Sequence, residues 1–368
     1  METINDICLI GQQFQIEGKL ILAEPYGDGH INDTYRVVYN DSGKFCQYIY
    51  QRMNHTVFNE PSSVMANIER VTGHIQRKLT DSGERDIDRN VLTLVPTHSG
   101  LSYYKDANGR FWRSYMFIER AKTVSVVQTP KQAYEVAKAF GQFQSLLNDL
   151  PGPRLKETIP DFHNTPKRFQ DFEGAFRKDV CNRAKFASRE VDFVFQHKDM
   201  VDVIVNMYQQ GGIPERITHN DTKINNVMLD EVTEEGLCVI DLDTVMPGLS
   251  LYDFGDMVRT ATSPTAEDER DLSRIYVCMP IFQALAEGYL TSSSVLLTDV
   301  EKEYLVFAGK LITFEIGLRF LTDYLSGDTY FKIHRKEQNL DRCRAQFKLV
   351  ESIIYYEEQM RRWIRGLL

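Results

Sequence analysis

The residues between Ile217 and Arg259 combine side-chain types that suit phosphoryl transfer. His219-Asn220-Asp221-Thr222-Lys223-Ile224-Asn225-Asn226 puts a carboxylate, a lysine and an asparagine in one short run. Fifteen residues after Asn226 comes Asp241, within Ile240-Asp241-Leu242-Asp243, and Tyr252-Asp253-Phe254-Gly255-Asp256 follows. Phosphoryl transfer asks for a base near the attacking hydroxyl and for metal ions that neutralise and align the phosphates. The H-x-D spacing, with Asn five residues on, sets a proton acceptor (Asp221) and an amide ligand for Mg²⁺ (Asn226) on one loop. Asp241 follows the apolar run 237–240 and so sits at a strand end, where a second Mg²⁺ ligand belongs. Mg²⁺ prefers oxygen and keeps several waters, so one carboxylate and one amide oxygen suffice. H-x-D or D-x-D alone occurs in many solvated loops; the joint order carries the reading. Asp253 and Asp256 read as capping or bracing residues.

These residues need elements to hold them. Lys19 to Ala23, Thr34 to Tyr39 and Phe45 to Gln51 are short β-branched and aromatic runs punctuated by Gly, Asp and Asn, the pattern of strands and turns. Val64, Ile68, Val71 and Ile75 recur at helical spacing over Ser62 to Lys78, with Ser62 or Ser63 as the cap. Leu92 to Pro96 and Arg110 to Ile118 read as strands, with a turn over Lys105–Gly109. Beyond Ile118 helices dominate: Lys131 to Leu147, Val191 to Tyr208, Asp268 to Tyr289 (interrupted at Pro280), Tyr304 to Tyr324 and Arg344 to Leu368. Strand signals persist at Val227 to Leu229 and Leu237 to Asp241. The expectation is an α+β chain with two lobes: a small β-rich lobe over 1–118 and a larger, mainly helical lobe over 119–368.

Composition sets bounds. At 368 residues the chain has room for about two domains. Its 42% hydrophobic, 26% charged and 11% aromatic residues exclude a disordered or collagen-like chain. A net charge of -9 argues against a general nucleic-acid binder and leaves anionic ligands open, because a ligand sees local charge. The first residues lack a basic segment before an apolar one, and no apolar run is long enough for a span, so a cytoplasmic protein with no membrane partner is expected. The six cysteines never fall at CxxC spacing and read as reduced, mostly buried thiols.

With these residues in view, the chain resembles the superfamily of aminoglycoside phosphotransferases and choline kinases, small-molecule kinases on the protein-kinase fold. Within it the sequence is similar to bacterial kinases that phosphorylate N-acetylhexosamines. The matching strings are Pro25-Tyr-Gly-Asp-Gly-His-Ile-Asn32, Thr218-His-Asn-Asp-Thr-Lys223, Ile240-Asp-Leu-Asp-Thr244, Met246-Pro-Gly248, Asp253-Phe-Gly-Asp256 and Arg319-Phe-Leu-Thr-Asp-Tyr-Leu325. Phe162-His-Asn-Thr-Pro166 and Gly327-Asp-Thr-Tyr-Phe331 also fit. The resemblance implies ATP as co-substrate, Mg²⁺ as cofactor and transfer to the C1 hydroxyl of GlcNAc or GalNAc. It implies Asp221 as base, Asn226 and Asp241 as Mg²⁺ ligands, and Lys223 on the transferring phosphate. Gly27, Asp28 and Gly29 would cover the phosphates, and the backbone of Ile118 and Glu119 would hold the adenine. His30, Asn32, Arg319 and Tyr330 would reach the sugar, and a monomer or weak oligomer is expected. Read from the helix alone, Arg319 either points into a cleft or pairs with Asp323, four residues on. One departure stands out: the third strand offers Gln51, with Arg52 beside it, where kinases carry a lysine.

Two other functions fit the same motifs. One is a kinase for choline, homoserine, a methylthio-sugar or an aminoglycoside; a choline site should show an aromatic cage and an aminoglycoside site a strongly acidic cleft. The other is an inactive nucleotide-binding pseudokinase, suggested by the missing lysine and opposed by the intact Asp221, Asn226 and Asp241.

Overall fold

The computed structural model describes residues 4–27 and 31–368. They gather into two compact units. The first comprises Met1–Ala121, Asp149–Pro160 and Leu237–Met246; the second comprises Lys122–Asn148, Asp161–Gly236 and Pro247–Leu368.

The first unit is built on an antiparallel sheet. Its strands are β1 (Lys19–Pro25), β2 (Asp33–Asp41), β3 (Lys44–Met53), β4 (Tyr104–Lys105) and β5 (Phe111–Met116), in the order β1-β2-β3-β5-β4. Strand alternation sends Tyr35, Val37, Tyr48, Tyr50 and Trp112 into a core closed by Ile7 and Ile10 of α1 (Ile4–Gly11) and by Phe14. A polar row crosses the strands at another set of positions. Thr34 pairs with Gln51 and Gln51 with Arg113 in the strand register. Their side chains are linked in turn, Arg113 Nε donating to Gln51 Oε1 (3.0 Å) and Gln51 Nε2 to Thr34 Oγ1 (3.1 Å). The long helix α2 (Pro61–Asp81) buries Val64, Met65, Ile68, Val71, Ile75 and Leu79, and the four-residue α3 (Ile87–Asn90) follows it. Asn67 of α2 ties in the two later segments, donating to Lys156 O (2.8 Å) and Val245 O (3.0 Å).

The second unit is mainly helical, with short strands at Arg216–Thr218 and Val227–Asp230. Its helices are α4 (Pro130–Leu147), α5 (Thr165–Lys178), α6 (Ser188–Gln196), α7 (Val203–Gln209), α8 (Ser250–Ala261), α9 (Met279–Ser293), α10 (Asp299–Ser326) and α11 (Gln338–Leu367). Helix α10 is buried along most of its length. It starts at a capping box, Thr298 Oγ1 accepting from Glu301 N and Glu301 Oε2 from Thr298 N, and stops at Gly327 in the left-handed region (φ 100°). It crosses α8 closely: a Cβ on Gly255 would lie 2.6 Å from Ala308 O. Only glycine permits that approach.

Several elements differ from expectation. Helix α2 starts at Pro61, so Ser62 and Ser63 lie inside it and Glu60 is the cap position. Residues 92–96 form no strand; Leu94 makes a single bridge to Tyr115, and Pro96, lacking an N–H, cannot extend a ladder. The expected helix over 191–208 breaks into α6, a 3₁₀ turn at Lys198–Met200 and α7. Pro280 does not interrupt a helix but opens α9, where its missing N–H costs no intrahelical bond. Of the cysteines only Cys238 and Cys343 are buried, and Cys181 is exposed. Among the described residues no helix is long and apolar enough to cross a membrane.

Candidate active site

The loop from Thr218 to Asn226 is held from beneath by Asp253 in the first turn of α8. Its carboxylate accepts from the backbone N–H of His219 (2.9 Å) and of Asn220 (2.7 Å), and from Gln144 Nε2 (2.6 Å). Its own carbonyl accepts from the Thr222 hydroxyl (2.6 Å). Burial pushes the Asp253 carboxyl up, against the pull of His219 and these hydrogen bonds. Asp253 is therefore a brace of the loop, as expected, rather than a helix cap. Asp256 caps nothing; it pairs with Arg259 inside α8 (2.7 Å). His219 is fully buried between the rings of Phe140 and Phe143, and its Nδ1 accepts from Asp221 N (3.3 Å).

These restraints put Asp221, Lys223 and Asn226 together. Lys223 Nζ lies 2.9 Å from Asp221 Oδ1, and Asn226 Nδ2 donates to Asp221 O (2.8 Å). The Asp221 side chain is 18% exposed and that of Lys223 is 44% exposed, so both reach solvent. Burial acts to raise the Asp221 carboxyl, but Lys223, His219 and Arg259 together hold it below the ordinary carboxylate range. Lys223 is held firmly protonated: burial opposes its charge, and the Asp221 carboxylate outweighs that. The arrangement is a partly exposed carboxylate, ionised at neutral pH, beside a cation. The Asn226 amide nitrogen is engaged by Asp221, which turns its carbonyl oxygen, a donor type that suits Mg²⁺, away from that contact.

Asp241 belongs to the first unit. It is exposed, adopts the left-handed region (φ 59°) and opens the short turn Leu242–Thr244. Two residues on, Asp243 is buried and paired with the equally buried Arg113, the side chains being 2% and 1% exposed. Asn32 Nδ2 donates to the other Asp243 oxygen (2.6 Å), and its Oδ1 accepts from Asn54 N (3.0 Å). Asn32 and Gln51 are thus both engaged around the Arg113–Asp243 pair in this structure. Gly27 follows β1 with φ 73°, a conformation suited to glycine. Asp28, Gly29 and His30 lie outside the described residues. Ile118 is buried just past β5, and Glu119 O accepts from Arg89 Nε (3.3 Å).

In the second unit Arg319 projects from α10 onto three rings, 5.1 Å from Phe162, 5.9 Å from Tyr330 and 5.7 Å from Phe331. Asp323 is not its partner. That carboxylate accepts instead from the backbone of Thr329, Tyr330 and Phe331 and from Asn339 Nδ2 (2.8 to 2.9 Å), which fixes the loop that presents Tyr330. Among the described residues no carboxylate lies within ion-pair distance of Arg319, and the nearby Arg168 feels its positive charge. Sequence reasoning missed Arg113 and Phe162 as parts of these clusters. Arg113 is the one charged residue of a mostly aromatic strand, and that was the available signal.

Comparison with known proteins gives a family and a fold. The profile described as "Phosphotransferase enzyme family" matches residues 23–286. A spectinomycin phosphotransferase solved with ADP and spectinomycin superposes with a TM-score of 0.57 at 14% identity, over 98% of this chain and 99% of that one. A choline kinase from Cryptosporidium parvum gives 0.57 at 13% identity, over 100% and 98%. An aminoglycoside phosphotransferase from Alicyclobacillus acidocaldarius gives 0.56 at 11% identity, again over 100% and 98%. At these identities the likeness is one of fold, the protein-kinase-like α+β fold that the sequence led us to expect. With the family profile covering most of its length, the chain belongs to the phosphotransferase enzyme family.

Proposed function

We propose that this phosphotransferase uses ATP and Mg²⁺ to phosphorylate the anomeric hydroxyl of an N-acetylhexosamine, working as a cytoplasmic monomer or weak oligomer. The observation that carries the acceptor class is the setting of Arg319: a guanidinium against Phe162, Tyr330 and Phe331, with Arg168 nearby and no carboxylate paired to it among the described residues. A quaternary ammonium or a polycationic aminoglycoside would meet repulsion there. A neutral sugar offers oxygens to the guanidinium and an apolar face to the rings.

In this reading Asp221 accepts the C1 hydroxyl proton, and Lys223 meets the transferring phosphoryl group. Asn226 and Asp241 would hold Mg²⁺, which supplies charge neutralisation and alignment of the phosphates. The first unit would take the nucleotide, through Gly27 to Gly29 and the backbone of Ile118 and Glu119. The second would take the sugar, through Arg319 and Tyr330; the resemblance also proposes His30 and Asn32 for sugar recognition.

The test is ADP release over a panel of acceptors, with phosphorus NMR of the product. GlcNAc or GalNAc should yield a hexose 1-phosphate. Turnover of choline with no turnover of either sugar would overturn the assignment. Arg319→Ala should raise the sugar KM by about 10- to 100-fold, the range for losing hydrogen bonds from a charged group, and leave the ATP KM within about twofold. A sugar KM that does not move would remove Arg319 from the acceptor site.

A further inference from the structure

We propose that His163 is held as a doubly protonated imidazolium between Glu315 and the backbone carbonyl of Asn220, and that this charged pair is a positioning device for the loop carrying Asp221. His163 precedes α5 and Glu315 lies in the middle of α10; both are buried, their side chains 4% and 0% exposed. Each ring nitrogen faces an acceptor. Nε2 is 2.9 Å from Asn220 O, and Nδ1 is 2.8 Å from Glu315 Oε1. A carbonyl has no proton to give, so Nε2 carries one. A neutral ring would then set the Nδ1 lone pair against a carboxylate oxygen, and a proton must lie between them.

The surroundings place that proton on the ring. The Thr165 hydroxyl donates to Glu315 Oε2 (2.5 Å), and Arg319, one turn along α10, adds positive charge; both favour the carboxylate. Arg168 of α5 also interacts with the Glu315 carboxylate and favours its charge. The rings against His163 are Tyr252 of α8 (centroids 5.2 Å apart) and Phe162 (4.7 Å), and neither brings a charge at neutral pH. Burial, and to a lesser degree the Arg319 charge, pull the imidazole down, but the Glu315 carboxylate and the two hydrogen bonds outweigh them and hold the group above its ordinary value. The sign follows: the pair is complete below the ordinary histidine range and is lost as pH rises through the raised, folded-state value.

The pair acts on one residue of the loop. Asn220 adopts the left-handed region (φ 64°), and its side chain is tied to Thr218. Asp253 holds its N–H and His163 holds its C=O. The carbonyl of the peptide linking Asn220 to Asp221 thus accepts a charged hydrogen bond from His163, and Phe162, next to His163, is one of the rings under Arg319.

The proposal rests on reading Asp221 as part of the transfer site, so its test has an arm that needs no turnover. In the full-length ¹⁵N-labelled chain, long-range proton–nitrogen NMR of the His163 ring, assigned by the loss of its signals in His163→Gln, should show both nitrogens protonated at about pH 7.5, roughly one unit above the ordinary histidine value. A bare ring nitrogen at that pH would overturn the charged pair, with no variant needed. Glu315→Gln should make the ring neutral, lower kcat by about tenfold at the same pH and move the alkaline limb of the kcat profile to lower pH, with the sugar KM changed less than about threefold. A kcat–pH profile unmoved by Glu315→Gln would overturn the positioning role. A charged ring in a chain inactive on N-acetylhexosamines but active on another acceptor supports the pair and counts against the acceptor assignment alone.

Discussion

Asp221→Asn is expected to lower kcat by roughly 10²-fold or more, the scale of a positioned base, with a smaller change in the ATP KM. The amide keeps the side chain's shape and cannot take a proton. The fold should tolerate the change. The Lys223–Asp221 pair is partly exposed, and such pairs contribute about 1 kcal/mol or less. The melting temperature should therefore stay close to that of the unaltered chain, which separates lost chemistry from lost structure. The pH response follows from the direction of the shift. The folded-state value of Asp221 lies below the ordinary carboxylate range, so the group is ionised throughout neutral pH. Its contribution to stability is present above the ordinary value and disappears as pH falls through the lowered one. Unchanged turnover in this variant would sink the assignment of Asp221 as base.

The largest effect on stability is expected from Arg113→Met, at about 3–5 kcal/mol, the range for leaving one member of a buried ion pair without its partner. Among the described residues Asp243 would keep the amide of Asn32 as a close donor, and Gln51 would lose the guanidinium that it accepts from. Adding Asp243→Asn should restore a large part of the loss, because the orphaned charge is then gone. Urea unfolding followed by fluorescence reads this directly, since Trp112 is fully buried in the same sheet. A Trp363→Phe background leaves it as the sole reporter of that unit. A cost below about 1 kcal/mol for Arg113→Met would show that the pair contributes no more than an exposed one.

What could be read from the sequence was what depends on near neighbours. Runs of β-branched and aromatic residues between turn residues marked β1 to β3, helical spacing marked α2 and α4, and the spacing of Asp221 and Asn226 marked the loop. What the sequence left open or missed has one cause, which is that partners are chosen in space. Asp323 stands four residues from Arg319, at the spacing of a helical ion pair, yet three consecutive backbone N–H groups of the following loop claim its carboxylate. Gln51 was legible as the substitute for a lysine, but the row Thr34–Gln51–Arg113 depends on strand register, which no single strand encodes. His163 and Glu315 are separated by 152 positions, and nothing local connects them. A boundary drawn along the chain near residue 118 likewise could not show that 149–160 and 237–246 cluster with the first unit.

That discontinuity bears on the order of events during synthesis. Arg113 is 130 positions ahead of Asp243, and Asn67 is 178 ahead of the Val245 carbonyl it bonds. When the five strands have left the ribosome, the guanidinium in their midst still lacks its carboxylate, and the ladder is complete before its charge is neutralised. The sheet must wait for more than a hundred further residues, most of them belonging to the helical unit, before it can reach its final free energy. Contacts of such separation slow folding and prolong the life of incomplete species. Arg113, the cross-strand neighbour of Gln51, therefore ties maturation of the amino-terminal strands to completion of the chain's middle third.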